Sequence, residues 1–398
     1  MSTSGYGLTV DRDGGQFYMD VFYTVDGYSD PETGEYFGDT SWSFSVAGQH
    51  GGGGGGGFGS ESESIPISFD FLGAGNVILQ FDFNFSAQNT FSAESTSFYV
   101  NMLIAGVAFI DLVLTGGEDQ DLIIAGSGND SLRGFGSDDV FDAGGGDDLL
   151  KGGDGNDILN GGQGADTMHG GGGGDLYHVD NAGDVIVEFP AGGGDAVITS
   201  TDYVLGANLE NLSVAIGGLT TGGNALDNRI DGSAGADSID GAEGDDSIYG
   251  NGGGGVLAGG EGDDFLLAGF GGPDDSTLLG GNGEDVLSGA LTGVSWLYGG
   301  AGNDHFIGNA SSTIWVSYAD ALGRVRVDLT TPAANTGEAA GDTYSNIAHV
   351  LGSSFGDALL GAGAGELLSG AGGGDKLRGR AGDDTLEGGV GGDILDGG

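Results

Sequence analysis

Cysteine is absent from the 398 residues, proline occurs five times, and nine Lys or Arg stand against sixty Asp or Glu. Without cysteine, disulfide frameworks and thiolate metal sites are excluded, and the chain suits export in an unfolded state. Nine scattered bases cannot build the electropositive footprint that nucleic acid requires, so no nucleic-acid partner is expected. No apolar run is long enough for a transmembrane segment. The opening residues Met1 to Tyr6 lack the basic and apolar stretches of a secretory leader. Hardly any stretch carries a 3.6-residue apolar period with capping residues, which argues against helices.

What is present in excess is glycine, 92 residues, and negative charge, formally -51. Glycine without a strict three-residue period and with so little proline rules out collagen. An apolar content of 38% is too high for a disordered acidic tail. A compact state of this charge repels itself, so cations in quantity are its natural complement.

The texture changes along the chain. Residues 1–115 are rich in aromatics and alternate them with polar residues at 16–23, 41–46, 67–71 and 81–85. That period of two predicts half-buried strands and an N-terminal antiparallel β domain. The seven glycines at 51–57 read as a flexible loop. Asp11, Arg12, Asp13, Gly14 and Gly15 look like part of a calcium loop but lack its later ligands, so a turn is expected there.

From Gly116 the period becomes nine, in the pattern G-G-x-G-x-D-x-U-x with U large and apolar. Seven units run in one register over 116–178, with Asp121, Asp130, Asp139, Asp148, Asp157, Asp166 and Asp175 in sixth place. The eighth place holds Ile123, Leu132, Phe141, Leu150, Leu159, Met168 and Tyr177. Residues 179–222 leave the register as a β-rich connector, and a rougher block follows at 223–316 with Asp237, Asp246, Asp264, Asp285 and Asp304. There Asn228 replaces one acid, Gly255 loses another, and Asp274 or Asp275 is displaced by extra residues around Pro273. A second connector spans 317–351, and a third block at 352–398 carries Asp357, Glu366, Asp375, Asp384 and Asp393.

Each place in the unit has a physical reason. The glycines admit positive φ and close backbone approach, so carbonyl oxygens can turn inward. The Asp adds a hard anionic oxygen, and Ca²⁺ takes six to eight oxygens from such mixtures at about 2.3–2.6 Å. The x-U-x segment is a short strand with its central side chain inward, and two units make one coil. The metal ligands expected are therefore the sixth-position aspartates named above, with many Ca²⁺ ions per chain; Asn228, Gly255 and Glu366 should mark weak or empty sites.

This pattern resembles the RTX (repeats-in-toxin) calcium-binding repeat over 116–178, 223–307 and 352–396. The segment 177–188 is similar to one that closes such rolls, and 341–347 to a recurrent linker of the family. The resemblance implies an all-β fold of calcium-loaded parallel β-roll blocks with β-rich interruptions. It also implies one ion between units two apart, shared by Asp121 with Asp139, Asp130 with Asp148, and Asp139 with Asp157. Secretion from a Gram-negative bacterium by the type I route, to the extracellular medium or cell surface, is implied as well.

No enzyme is expected. H-E-x-x-H and G-x-S-x-G are both missing, and the five histidines are dispersed. His169 and His178 share the ninth place of their units and are expected to stack on one face. A calcium-folded structural protein of the bacterial exterior (an S-layer, matrix, filament or adhesin component), present as a homo-oligomer or polymer, fits best. The alternatives are a non-catalytic part of a secreted enzyme, or a module whose N-terminal aromatics bind a cell-surface polysaccharide.

Overall fold

A computed structural model describes residues 111–398, apart from 191 and 270–274, together with the backbone of six strands between Ser4 and Tyr99. The glycine tract 51–57, the alternating stretch 81–85 and Asp274 lie outside the described residues. Chain contacts divide the protein into two units, Met1–Asp195 and Ala196–Gly398.

In the first unit, successive nonapeptides alternate between two parallel sheets. One holds Asp121–Ile124, Val140–Gly145, Ile158–Gln163 and Leu176–Val179. The other holds Leu112–Thr115, Ser131–Gly136, Leu149–Asp154, Thr167–Gly172 and Val185–Ile186. Val140 lies beside Leu122 on one side and Ile158 on the other, so one coil is two units long. Eighth-position side chains from Ile123 to Tyr177 are all buried. Burying each such side chain contributes about 1.5–3 kcal/mol, and the stack of them is the core.

The glycines hold the coils together at the turns. Gly146 has φ +126°, and a Cβ there would lie 1.9 Å from the carbonyl oxygen of Gly128 one coil away. Gly153, at φ +137°, would meet the carbonyl oxygen of Phe135 at 2.0 Å. Coils therefore stack at a spacing that excludes a methyl group. Gly146→Val is expected to lower stability by at least about 2 kcal/mol, since left-handed strain and the clash add. Thermal unfolding in saturating calcium reads this directly; an unchanged midpoint would mean that the coils are not stacked this closely.

Two expectations need correction. Ninth-position residues one unit apart fall on opposite sheets, because a coil takes two units. His169 therefore pairs with Lys151 in one sheet and His178 with Asn160 in the other, and the two do not stack. The register also runs past His178: Val185 and Ile186 pair with Thr167 and Met168.

The second unit carries one sheet with strands from Ala196–Thr199 to Thr343–Ser345, and another from Tyr203–Val204 to Thr385–Glu387. A third holds Arg326–Asp328, Ala358–Leu360, Lys376–Arg378 and Ile394–Asp396. Asp264 to Asp285 spans 21 residues instead of 18, and Ser276 is the buried residue of the lengthened unit while Asp275 is exposed. The excursion between Ser317 and Asp342 holds two short 3-10 turns, Pro332–Ala334 and Gly337–Ala339, the only helical turns among the described residues. Trp296, Trp315 and His349 occupy equivalent places on neighbouring strands and stack in series at 5.2 and 5.1 Å. Their faces are covered by one another, which makes them a packing ladder.

Candidate metal centre

Each sixth-position aspartate of the first unit is buried, and from Asp130 on each is bound to the coil before it. The backbone N–H of Asp121 donates to Oδ1 of Asp139 at 2.8 Å, that of Asp139 to Asp157, and that of Asp157 to Asp175, both at 2.8 Å. On the other side of the roll Asp130 donates to Asp148 at 2.6 Å and Asp148 to Asp166 at 2.8 Å. The structure thus brings together the pairs that the repeat places one coil apart, in two parallel rows.

The second carboxylate oxygen carries the chemistry. Oδ2 of Asp139, Asp148, Asp157, Asp166 and Asp175 is buried and has no hydrogen-bond donor. It points into the glycine turn: a Cβ on Gly152 would lie 1.9 Å from Oδ2 of Asp157 and 2.8 Å from the carbonyl oxygen of Gly170. Anionic and carbonyl oxygens therefore converge with nothing positive between them. Burial first, and neighbouring aspartates second, push the carboxyls of Asp139, Asp148 and Asp175 up to about 7. Burial likewise raises those of Asp130, Asp157 and Asp166 to about 6. Leaving such oxygens dry and unpaired is costly, and a hard divalent cation is the group that satisfies them.

In the second unit the row is one-sided. Asp246, Asp264, Asp285 and Asp304 repeat the arrangement, each with a buried, donor-free Oδ2. Burial raises Asp246, Asp264 and Asp304 to about 7 and Asp285 to about 6. The row is bracketed by two ends that meet their own hydrogen-bonding needs. Asn228 donates its amide to the carbonyls of Leu209 and Glu210, and Asp342 accepts the hydroxyl of Tyr318. On the opposite side, residues equivalent to Asp237 are Gly255, Ser276 and Ser295, none of them an acid.

Oδ2 of Asp121 and Asp130 accepts the N–H of Gly117 at 2.6 Å and of Gly126 at 3.4 Å, and Asp237 and Asp357, which also sit in place, are more fully satisfied still. Oδ2 of Asp237 accepts the backbone and hydroxyl of Ser233, and Oδ2 of Asp357 those of Ser353. A serine in second position fills the space that glycine leaves open elsewhere. Asp375 and Asp384 keep a donor-free Oδ2, and Asp393 is half-buried with its Oδ1 on the N–H of Asp375. Glu366 is more complete than its longer side chain implied: it is buried, pairs with Asp384, and has a donor-free Oε2.

Four further carboxylates join the arrangement without having been singled out in the sequence. Asp184 accepts the N–H of Asp166, Asp195 that of Asp175, and Asp342 that of Asp304, while Glu188 lies beside Asp175 and Asp195. Asp184 was within reach, since counting nine from Asp175 lands on it, with Ile186 in eighth place. Asp195, Asp342 and Glu188 are displaced by insertions, and no count of nine finds them.

Parallel coils, glycine turns and paired buried aspartates define a calcium-binding β-roll. A family model described as the RTX calcium-binding nonapeptide repeat matches residues 115–150, 143–177, 222–257, 256–272, 269–292, 290–312 and 369–398. No curated protein matches the chain. Those stretches are thus similar to the RTX calcium-binding nonapeptide repeat, a repeat typical of secreted proteins. Among the described residues no helix is long and apolar enough to cross a membrane.

The two kinds of aspartate can be separated by mutation. Asp157→Asn keeps the Oδ1 that accepts the N–H of Asp139 but removes charge from the two sites the residue would share. A destabilisation of roughly 3 kcal/mol in saturating calcium is expected, from about 1.4 kcal/mol per site. Asp237→Asn, whose Oδ2 Ser233 already satisfies, should cost less than half as much. Calcium-dependent melting curves of both variants decide this; equal effects would contradict the distinction.

Proposed function

We propose that this is a secreted structural protein of the bacterial exterior that folds on calcium and assembles into a layer, matrix or filament. The observation that carries the first half is the set of buried, donor-free carboxylate oxygens facing glycine turns, which makes the fold conditional on a divalent ion. In this proposal the ligands are Asp121, Asp130, Asp139, Asp148, Asp157, Asp166, Asp175, Asp246, Asp264, Asp285, Asp304, Asp375, Asp384 and Asp393, with Asp237 and Asp357 in supporting positions. Export by type I secretion from a Gram-negative cell follows naturally: scarce cytosolic calcium keeps the chain unfolded, and calcium outside folds it.

Residues 1–115 supply the assembling part as an antiparallel β domain. Its support is the backbone register of Ser4–Arg12 with Gly15–Ser29, and of Gly15–Ser29 with Tyr36–Gln49. Tyr36–Gln49 is a 14-residue strand standing first in its sheet, without proline or lysine. Such an edge is a template for pairing with a second copy. Sedimentation and negative-stain electron microscopy of the full chain test the proposal. Polymers that form with millimolar calcium and dissolve in EGTA are expected; a monomer at high concentration in calcium would refute assembly.

A further inference from the structure

We infer that Asp175, Glu188 and Asp195 form a three-carboxylate calcium site at the end of one row of the first unit, tighter than the two-carboxylate sites before it. This inference rests on the calcium reading of the rows. Asp157 and Asp175 are 18 residues apart, as in a regular coil, but Asp175 meets Asp195, 20 residues on. The extra length is taken up in the segment that begins at Glu188. Phe189 accepts the N–H of Gly192, whose own carbonyl accepts the N–H of Gly173. Gly193 lies on the turn beneath so closely that a Cβ would come within 1.7 Å of the carbonyl oxygen of Gly173. The upper turn is thus seated as a regular coil would seat it, and the inserted segment turns the Glu188 side chain inward.

The result is a cage that the regular sites lack. One oxygen from each of Asp175, Glu188 and Asp195 lies within 4.8 Å of the other two, and all three residues are buried. Oδ2 of Asp175, a residue only 2% exposed, has no hydrogen-bond donor. Glu188 accepts the hydroxyl of Tyr177, a fully buried core residue, and the N–H of Phe189 at 3.2 Å. Three negative charges at this separation in a dry site repel one another unless a cation sits among them. Calcium affinity rises with the number of charged ligands, which is greater here than one coil below.

The geometry also assigns a function to the site. It closes a row at the segment where the nonapeptide pattern is interrupted, so its ion fixes the interrupting segment to the last regular turn. Calcium added stepwise should fill this site first.

Calcium titration of the chelator-stripped full chain, followed by calorimetry and by terbium luminescence with tyrosine excitation, tests the inference. In the wild type, the first equivalent of Tb³⁺ should give sensitised emission, because Tyr177 touches a ligand. Glu188→Gln, which retains an oxygen to accept the Tyr177 hydroxyl, should weaken the tightest class of calcium sites by about tenfold and leave the weaker classes unchanged. Tyr177→Phe keeps all three carboxylates and should remove the first-equivalent emission. If both variants bind and emit as the wild type does, this site is not the tight one and the inference fails while the rows stand. If the wild type itself takes up no calcium, the rows fail with it.

Discussion

Adding EGTA to the folded protein at neutral pH is expected to abolish its β-sheet circular dichroism and leave an expanded chain. At a free calcium level ten times Kd each site adds roughly 1.4 kcal/mol, so about ten sites add on the order of 14 kcal/mol. That matches or exceeds the whole stability of an ordinary domain, about 5–15 kcal/mol. Removing the ions does more than subtract this contribution. It leaves carboxylates such as Asp148 and Asp264 dry and beside like charges, where ionising them is costly, in a chain whose formal charge is already -51. The thin core, one inward side chain per unit, cannot offset both losses. A transition that is sharp in calcium concentration is expected, because each interior aspartate of a row would belong to two neighbouring sites. A full β spectrum in the chelator would overturn the calcium dependence.

Acid should partly replace calcium. The carboxyls of Asp139, Asp148, Asp175, Asp246, Asp264 and Asp304 are raised to about 7 in the metal-free fold, chiefly by burial, against 3.8 in an exposed chain. The folded chain therefore binds protons that the unfolded chain releases between about pH 4 and pH 7. Stability of the metal-free fold rises as pH falls through about 7, and this gain is complete only below about 4. In EGTA, lowering the pH from about 8 to about 5 is expected to restore much of the β signal, while the calcium needed to fold the protein increases. The same linkage requires protons to be released when calcium binds near pH 6, which a pH-stat measures. A chain equally unfolded in EGTA at pH 8 and pH 5 would show that these carboxyls are not buried in the absence of metal.

Much of the arrangement was legible because the repeat is a local code. A run from Asp121 to Asp175 in one register states its own coil length, its inward residues and its candidate ligands. Where the spacing breaks, local information fails. Asp195 and Asp342 take sixth-position places after insertions, and only pairing with Asp175 and Asp304 reveals them. His169 and His178 look equivalent along the chain yet lie on opposite sheets, because a coil closes every second unit.

The amino-acid sequence by itself determined the period, the core positions and the candidate ligand positions, since glycine, aspartate and apolar residues at fixed spacing admit few other folds. Tertiary structure decided which carboxylates are free to hold an ion. Asp157 and Asp237 occupy the same place in the repeat, but one oxygen of Asp157 faces open glycine backbone while that of Asp237 is taken by Ser233. A carboxylate oxygen is satisfied by whatever donor packing brings within about 3 Å. That donor comes from a stacked coil, an insertion or a neighbouring turn, and which of them reaches it is fixed only when the coils close on one another.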